Sequence, residues 1–240
     1  MVRPALPTTL IFCCPLPSSL STDQLTACLE AAAHPAPSIT WVTTAERLPL
    51  LRVPRGPAST APLAAVDVPA AALESRQSLR RLLACAQSAA SGIDTALVRG
   101  PLPHDCRRML VDAGIAVVLR DFFDPMSRGP RRPAPNGWPC RSMLWGLWEV
   151  TAADAGPPGM IGRLVPWMAA DRLRPGGLAV VDLAGAMPTA ASIRDRLDRW
   201  QAWVRRQRAG AVEIATLASL PELITGAARR PLSGSVLKAA

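Results

Sequence analysis

Two adjacent cysteines, Cys13 and Cys14, follow a short apolar run in the segment IFCCP, where a buried strand is expected to end. In proteins with parallel strands and helices, the ligand site lies at the carboxyl ends of the strands. A thiolate at such a place can act as a nucleophile or bind a metal, whereas a buried thiol is a small apolar side chain. The segment therefore has two interpretations, a reactive site and a packed core, and we favour the core.

Other polar residues stand at the ends of further expected strands. The shortlist of strand-end candidates is completed by Thr43, Thr44, Arg99, Gly100, Arg120, Asp121, Glu149 and Asp182. His104 begins an expected helix just after a strand, which makes it a better candidate than His34, although a solvated histidine is the favoured interpretation there. Carboxylates, a histidine and thiols together would suit hydrolytic chemistry.

The segment WPCRSMLWGLWEV contains three tryptophans, and aromatic faces are common platforms for sugar rings. Trp138 lies in a Pro- and Gly-rich loop, so we expect it at the rim as a ligand-binding residue. We expect Glu149 to point inward or toward the mouth of a barrel and Trp148 to pack against an outer helix. The alternative, that all three tryptophans belong to the core, is slightly favoured.

These candidates need elements that bring strand ends together, and the apolar pattern supplies them. The expected strands are 9–13, 38–42, 63–68, 94–98, 115–119, 144–150, 178–183 and 212–216. The expected helices are 22–33, 74–90, 103–113, 163–173, 189–208 and a closing helix that begins in SLPELI. Alternating strands and helices predict an α/β fold with a parallel sheet or barrel. We expect one domain over 1–226 and a flexible basic tail over 227–240.

Composition limits the function classes. The 240 residues are 49% hydrophobic and include only two His, which excludes a site of three imidazoles. The sequence has no P-loop, no GxGxxG after a strand, no GxSxG and no HExxH. The six cysteines show no CxxC spacing, so we expect reduced thiols in a cytoplasmic protein. No run of 18 apolar residues occurs, and we expect no transmembrane helix.

The net charge of +9 raises the question of a nucleic-acid partner. Helix 189–208 carries six arginines, and the loop 128–132 adds three. Asp195 and Asp198 interrupt the positive face, and Trp200 lies on the apolar stripe of the helix. A solvated helix face is therefore favoured, and we expect no nucleic-acid partner.

Six segments, taken in order, carry a resemblance to a known family: IFCCP, SITWV, SGIDTALVRGPLPH, LRDFFDP, RPGGLAVVDL and IATLASLPELI. They resemble motifs of the NodB-type polysaccharide deacetylases, irregular (β/α) barrels that use a metal to hydrolyse acetyl groups of glycans. The resemblance implies the same barrel here. It places Cys13 where the family has its general base and Cys14 where the family has a metal-binding Asp.

The remaining matches also depart from the family pattern. Gly100 falls at the place of the first metal-binding histidine, and only His104 matches the second. Asp182 replaces the histidine that serves as catalytic acid, while Arg120 is the one motif residue retained. A metal-bound water needs a carboxylate or imidazole to take its proton, and a coordinated thiolate would be a poor base. The departures predict a barrel without the metal site.

We therefore expect a bacterial protein without a cofactor, zinc included, that binds a glycan or a protein partner or has a regulatory role beside active relatives. Two alternatives stay open. One is a hydrolase with altered chemistry, in which Cys13 or Cys14 is the nucleophile or a metal ligand, His104 carries the proton, and Asp121 or Asp182 orients it. The other is a polyanion binder built on helix 189–208 and the loop 128–132.

Overall fold

The computed structural model describes residues 7–32, 38–51, 63–90, 92–120, 138, 140–143, 146–151, 173, 175–185 and 188–229. The strands are β1 (Thr8–Pro15), β2 (Ile39–Thr43), β3 (Leu63–Val68), β4 (Thr95–Val98), β5 (Val117–Arg120), β6 (Cys140–Ser142), β7 (Trp148–Thr151), β8 (Leu178–Asp182) and β9 (Val212–Ala215). The helices are α1 (Thr22–Ala31), α2 (Leu48–Leu51), α3 (Ala70–Leu73), α4 (Arg76–Ala89), α5 (His104–Asp112), α6 (Ala190–Arg205) and α7 (Leu220–Arg229), and a 3-10 turn covers Ala45–Arg47.

The strands form one curved sheet in the order β6-β7-β5-β4-β3-β2-β1-β8, parallel except for the antiparallel β6–β7 pair. One edge of β1 is shared, since its first half pairs with β9 and its second half with β2. The Nε1–H of Trp138, just before β6, donates to the carbonyl of Gly176, just before β8, at 2.8 Å. That bond brings the two ends of the sheet order together, so the α/β fold has a nearly closed, barrel-like sheet, as expected.

Successive strand residues point to opposite faces, and this divides the apolar side chains into two clusters. The inner core contains side chains from every strand, including Ile11, Val42, Leu97 and Leu119, and α7 closes it with Leu220 and Ile224. The outer core fills the space between the strands and the helices α1, α4, α5 and α6. Because both faces of the sheet are covered, most strands are continuous apolar runs in the sequence.

Local signals explain where the main helices begin. The Ser21 hydroxyl accepts the N–H of Gln24, whose side chain accepts the N–H of Ser21 in return. Thr189 and Ser192 form the same reciprocal cap on α6, and each cap satisfies two backbone N–H groups that a helix start leaves unpaired. The starts of α1 and α6 thus follow from the local sequence.

Most expected elements are confirmed with small shifts in their bounds. The strand 63–68 has the bounds of β3, while the expected helix 74–90 begins at Arg76, behind the separate turn α3. The strand β6 was not expected. The expected helix 163–173 and the loop 128–132 lie almost wholly outside the described residues, and α7 runs three residues past the expected domain end at 226. No helix within the described ranges is long and apolar enough to cross a bilayer.

Candidate functional site

The carboxyl end of β1 meets that of β8, and Cys13 is aligned with Asp182 across this pair. Both lie on the inner face, where the Cys13 thiol is fully buried and donates to the carbonyl of Val181 at 3.4 Å. The Asp182 carboxylate accepts the N–H of Ala184 at 2.7 Å. Two of the sequence candidates are therefore brought together, as a thiol beside a carboxylate.

Cys14 lies on the opposite face of the same strand. Its side chain belongs to the outer core, which also contains Cys28, and it is completely buried. Adjacent residues of a strand cannot point into one cavity. The two cysteines therefore cannot act on one ligand or one metal ion.

Burial and the neighbouring carboxylate keep both thiols protonated. Loss of hydration raises the pKa of the Cys13 thiol well above its usual value, and the charge of Asp182 raises it further. The pKa of Cys14 is raised by the same two causes, against a smaller opposing effect of Arg196. A nucleophilic cysteine requires a lowered pKa and access to solvent, so these thiols have the properties of core residues.

The strand-end candidate Arg99 forms an ion pair at the carboxyl ends of β3 and β4 with Asp67, a residue that sequence reasoning missed. The Nε–H of Arg99 donates to both carboxylate oxygens of Asp67, at 2.9 and 3.1 Å. Asp67 is aligned with Leu97 of the inner core, and Arg99 follows two residues later on the same side. The Arg99 side chain is 37% exposed, against 11% for that of Asp67. An acidic residue inside an otherwise apolar strand was the available signal.

Arg120 and Glu149 form a buried ion pair on the outer face. Their Nε and Oε1 atoms are 3.0 Å apart, and the side chains are 6% and 7% exposed. The register aligns Glu149 with Val118, an outer-core residue, while Trp148 packs against the inner core. The expectation that Glu149 points inward or toward the mouth and that Trp148 packs against an outer helix is therefore wrong, because strand alternation from the inner-core residue Val150 places Trp148 inside and Glu149 outside.

The other candidates are dispersed. His104 lies on an exposed groove between α4 and α5. The strand that precedes it, β4, is separated from β1, which carries Cys13, by β2 and β3. At ordinary strand spacing, β1 and β4 are about 14 Å apart. Trp138 is half-buried against the inner core, with its indole N–H bonded to Gly176. Asp121 lies outside the described residues. The structure thus gathers Cys13 with Asp182 and Arg120 with Glu149, but not all candidates in one place.

The metal used by the NodB-type family does not fit these residues. Cys14, at the place of a metal-binding Asp, faces the outer core as a buried thiol whose pKa is raised. Gly100 supplies no ligand atom from a side chain, and His104 lies among arginines. In the part of the chain that the structure describes, no three His, Cys, Asp or Glu side chains are grouped closely enough to hold a metal ion.

The loop after β8 brings Gly185 against the side chain of Arg196. Gly185 has a φ of +63°, and a Cβ there would overlap the guanidinium of Arg196, which donates to the carbonyl of Asp182 at 3.3 Å. We expect Gly185→Ala to lower the free energy of unfolding by roughly 2 kcal/mol, half from the backbone conformation and half from the displaced arginine. Chemical denaturation measures this.

The matched control for that substitution is Gly114→Ala. Gly114 has a φ of +78°, and a Cβ there meets nothing within 4 Å, so only the conformational cost of about 1 kcal/mol is expected. Equal losses in the two variants would contradict the role of Arg196. In an Arg196→Ala background, the extra cost at Gly185 should disappear.

Comparison with known proteins finds no similarity that could assign a family. No family model matches the chain, and no curated protein or solved structure is significantly similar to it.

Proposed function

We propose that this protein is a divergent barrel of the NodB deacetylase type that binds carbohydrate at the carboxyl ends of its strands without metal-dependent deacetylation. The observation that carries the proposal is the division of Cys13 and Cys14 between the inner and outer cores. At the place where the family resemblance puts a general base and a metal ligand, this chain has two packed, protonated thiols. The nearly closed parallel sheet supports the barrel part of the proposal.

The inner face keeps polar groups that suit sugar hydroxyls. The Arg99 side chain, held by Asp67 and partly exposed, lies near the barrel mouth, and the buried Asp182 lies on the far side of β1. Fixed charged groups make stronger hydrogen bonds to a ligand than neutral ones do. We assign ligand binding to Arg99, and we place the protein in the cytoplasm because all six cysteines are free.

Titration with an N-acetylated chitooligosaccharide tests the proposal. We expect calorimetry to show binding and an acetate assay to show no release, with or without added Zn²⁺. Replacing one charge-assisted donor in Arg99→Gln should weaken binding roughly tenfold. The matched control Arg205→Gln, at the exposed end of α6, should bind as the unmodified protein does. Zinc-dependent acetate release, or the absence of binding, would overturn the proposal.

A further inference from the structure

A groove of about 440 Å³ lies on the outer surface between α4 and α5. Helix α4 contributes Arg76 and Arg80, one turn apart, and α5 contributes His104 and Arg108, also one turn apart. Met109 supplies the apolar part of the wall. Four basic side chains from two helices therefore face one concave surface.

Two aspartates also line the groove, and each is already in contact with an arginine. Asp105 forms an ion pair with Arg76 across the groove, and that contact lowers the pKa of the Asp105 carboxyl. Asp112 lies 3.9 Å from Arg108, too far for a good hydrogen bond. Arg80 makes no ion pair or side-chain hydrogen bond with any residue that the structure describes. Three arginines against two aspartates leave the groove positive.

The amino ends of α4 and α5 add to the positive electrostatic potential of the groove. Arg76 and His104 are the first residues of α4 and α5, and Pro103 provides no side-chain cap for α5. The amino ends of both helices, which carry partial positive charge, therefore open at the same end of the groove. The guanidinium group of arginine has several N–H donors in one plane, and this geometry suits oxyanions with several acceptor oxygens.

We propose that this groove binds a phosphate or sulfate group of a small molecule, with Arg80 and Arg108 as its main contacts. The volume exceeds that of the bare anion and leaves room for a sugar-sized substituent. The proposal is independent of the carbohydrate site on the inner face, because neutral chitooligosaccharides have no charged group that requires these arginines.

The two histidines make the binding measurable by NMR spectroscopy. We expect inorganic phosphate, a sugar phosphate or a sulfated sugar to shift the imidazole resonances of His104 in a saturable way at constant ionic strength, while those of His34 stay unchanged. Assignment uses His34→Gln. Tighter binding of the esters would identify a sugar-borne group as the ligand, and equal affinity would identify the oxyanion itself. The absence of a saturable His104 shift with all three probes would overturn the proposal.

Two double variants distinguish a specific anion-binding site from attraction by the net positive charge of the protein. Arg80→Gln/Arg108→Gln should weaken binding at least tenfold, since it removes two charge-assisted donors. Arg205→Gln/Arg206→Gln removes the same charge from the exposed end of α6 and should change affinity less than about twofold. An equal loss in both would show that net charge alone attracts the anion. Both pairs are solvent-exposed, so unchanged thermal midpoints are expected and can be checked.

Discussion

Raising the pH from 7 to 10 is expected to lower the free energy of unfolding by at least about 6 kcal/mol, since five cysteines are buried and the three with the most strongly raised pKa values must stay protonated in the folded chain. Burial raises the pKa of Cys13 and Cys14 well above the usual value and raises the pKa of Cys140 to about 12. An unfolded thiol has a pKa near 8.5, so each contributes about 2 kcal/mol at pH 10. Because the folded pKa values are raised, the full stability is present below the unfolded pKa and is lost as the pH rises above it.

The composition makes this effect unusually easy to assign. The chain has no tyrosine and a single lysine, Lys238, and arginines do not titrate below pH 12. Between pH 8 and 10, the cysteines are therefore almost the only side chains that can release protons. A loss of stability in that range reports on the buried thiols.

Urea denaturation at each pH, with reductant present, measures the effect. Cys140→Ala should remove about 2 kcal/mol of the alkaline loss, since one of the thiols with a strongly raised pKa is gone. Cys85, which is exposed, provides the control, and Cys85→Ala should leave the pH profile unchanged. A flat profile between pH 7 and 10 would show that these thiols ionise as readily in the folded chain as in the unfolded one.

The second large effect is expected at the buried ion pair between β5 and β7. Arg120→Met or Glu149→Met should each cost about 3–5 kcal/mol, because each leaves the other charge buried without its partner. The pair is 3.0 Å apart and nearly inaccessible to water. The double variant should recover most of that loss, since it buries no charge. The difference between single and double variants, measured by denaturation, gives the coupling between the two residues.

An exposed ion pair calibrates that result. Arg199 and Asp195 form an i, i+4 pair on α6 with side chains 60% exposed, and Asp195→Asn should cost less than about 1 kcal/mol. If Arg120→Met cost no more than Asp195→Asn does, the pair would have no structural role. A catalytic role for Arg120 would instead predict intact stability in the variant.

Much of the fold is readable in the sequence because its signals are local. The apolar run before Cys13, the Ser21 cap and the alternation of strand and helix depend only on neighbouring residues. They predict β1, α1 and the parallel sheet, all of which the structure contains. The short strand β6 was not predicted from the sequence, because three residues are too few to show a hydrophobic periodicity. The same local patterns also indicated that the two cysteines belong to the core.

The tertiary structure decided which side chains face each other. The sequence alone could not show that Asp67 meets Arg99, since the contact joins residues 32 positions apart through strand register. Glu149 could be placed at a strand end, yet only the pairing of β7 with β5 determined its face. A shift of one residue in register moves every side chain to the other face, and register depends on how neighbouring strands pack together. Chain order therefore predicted the elements of this protein, and the closing of the sheet determined which side chains can act together.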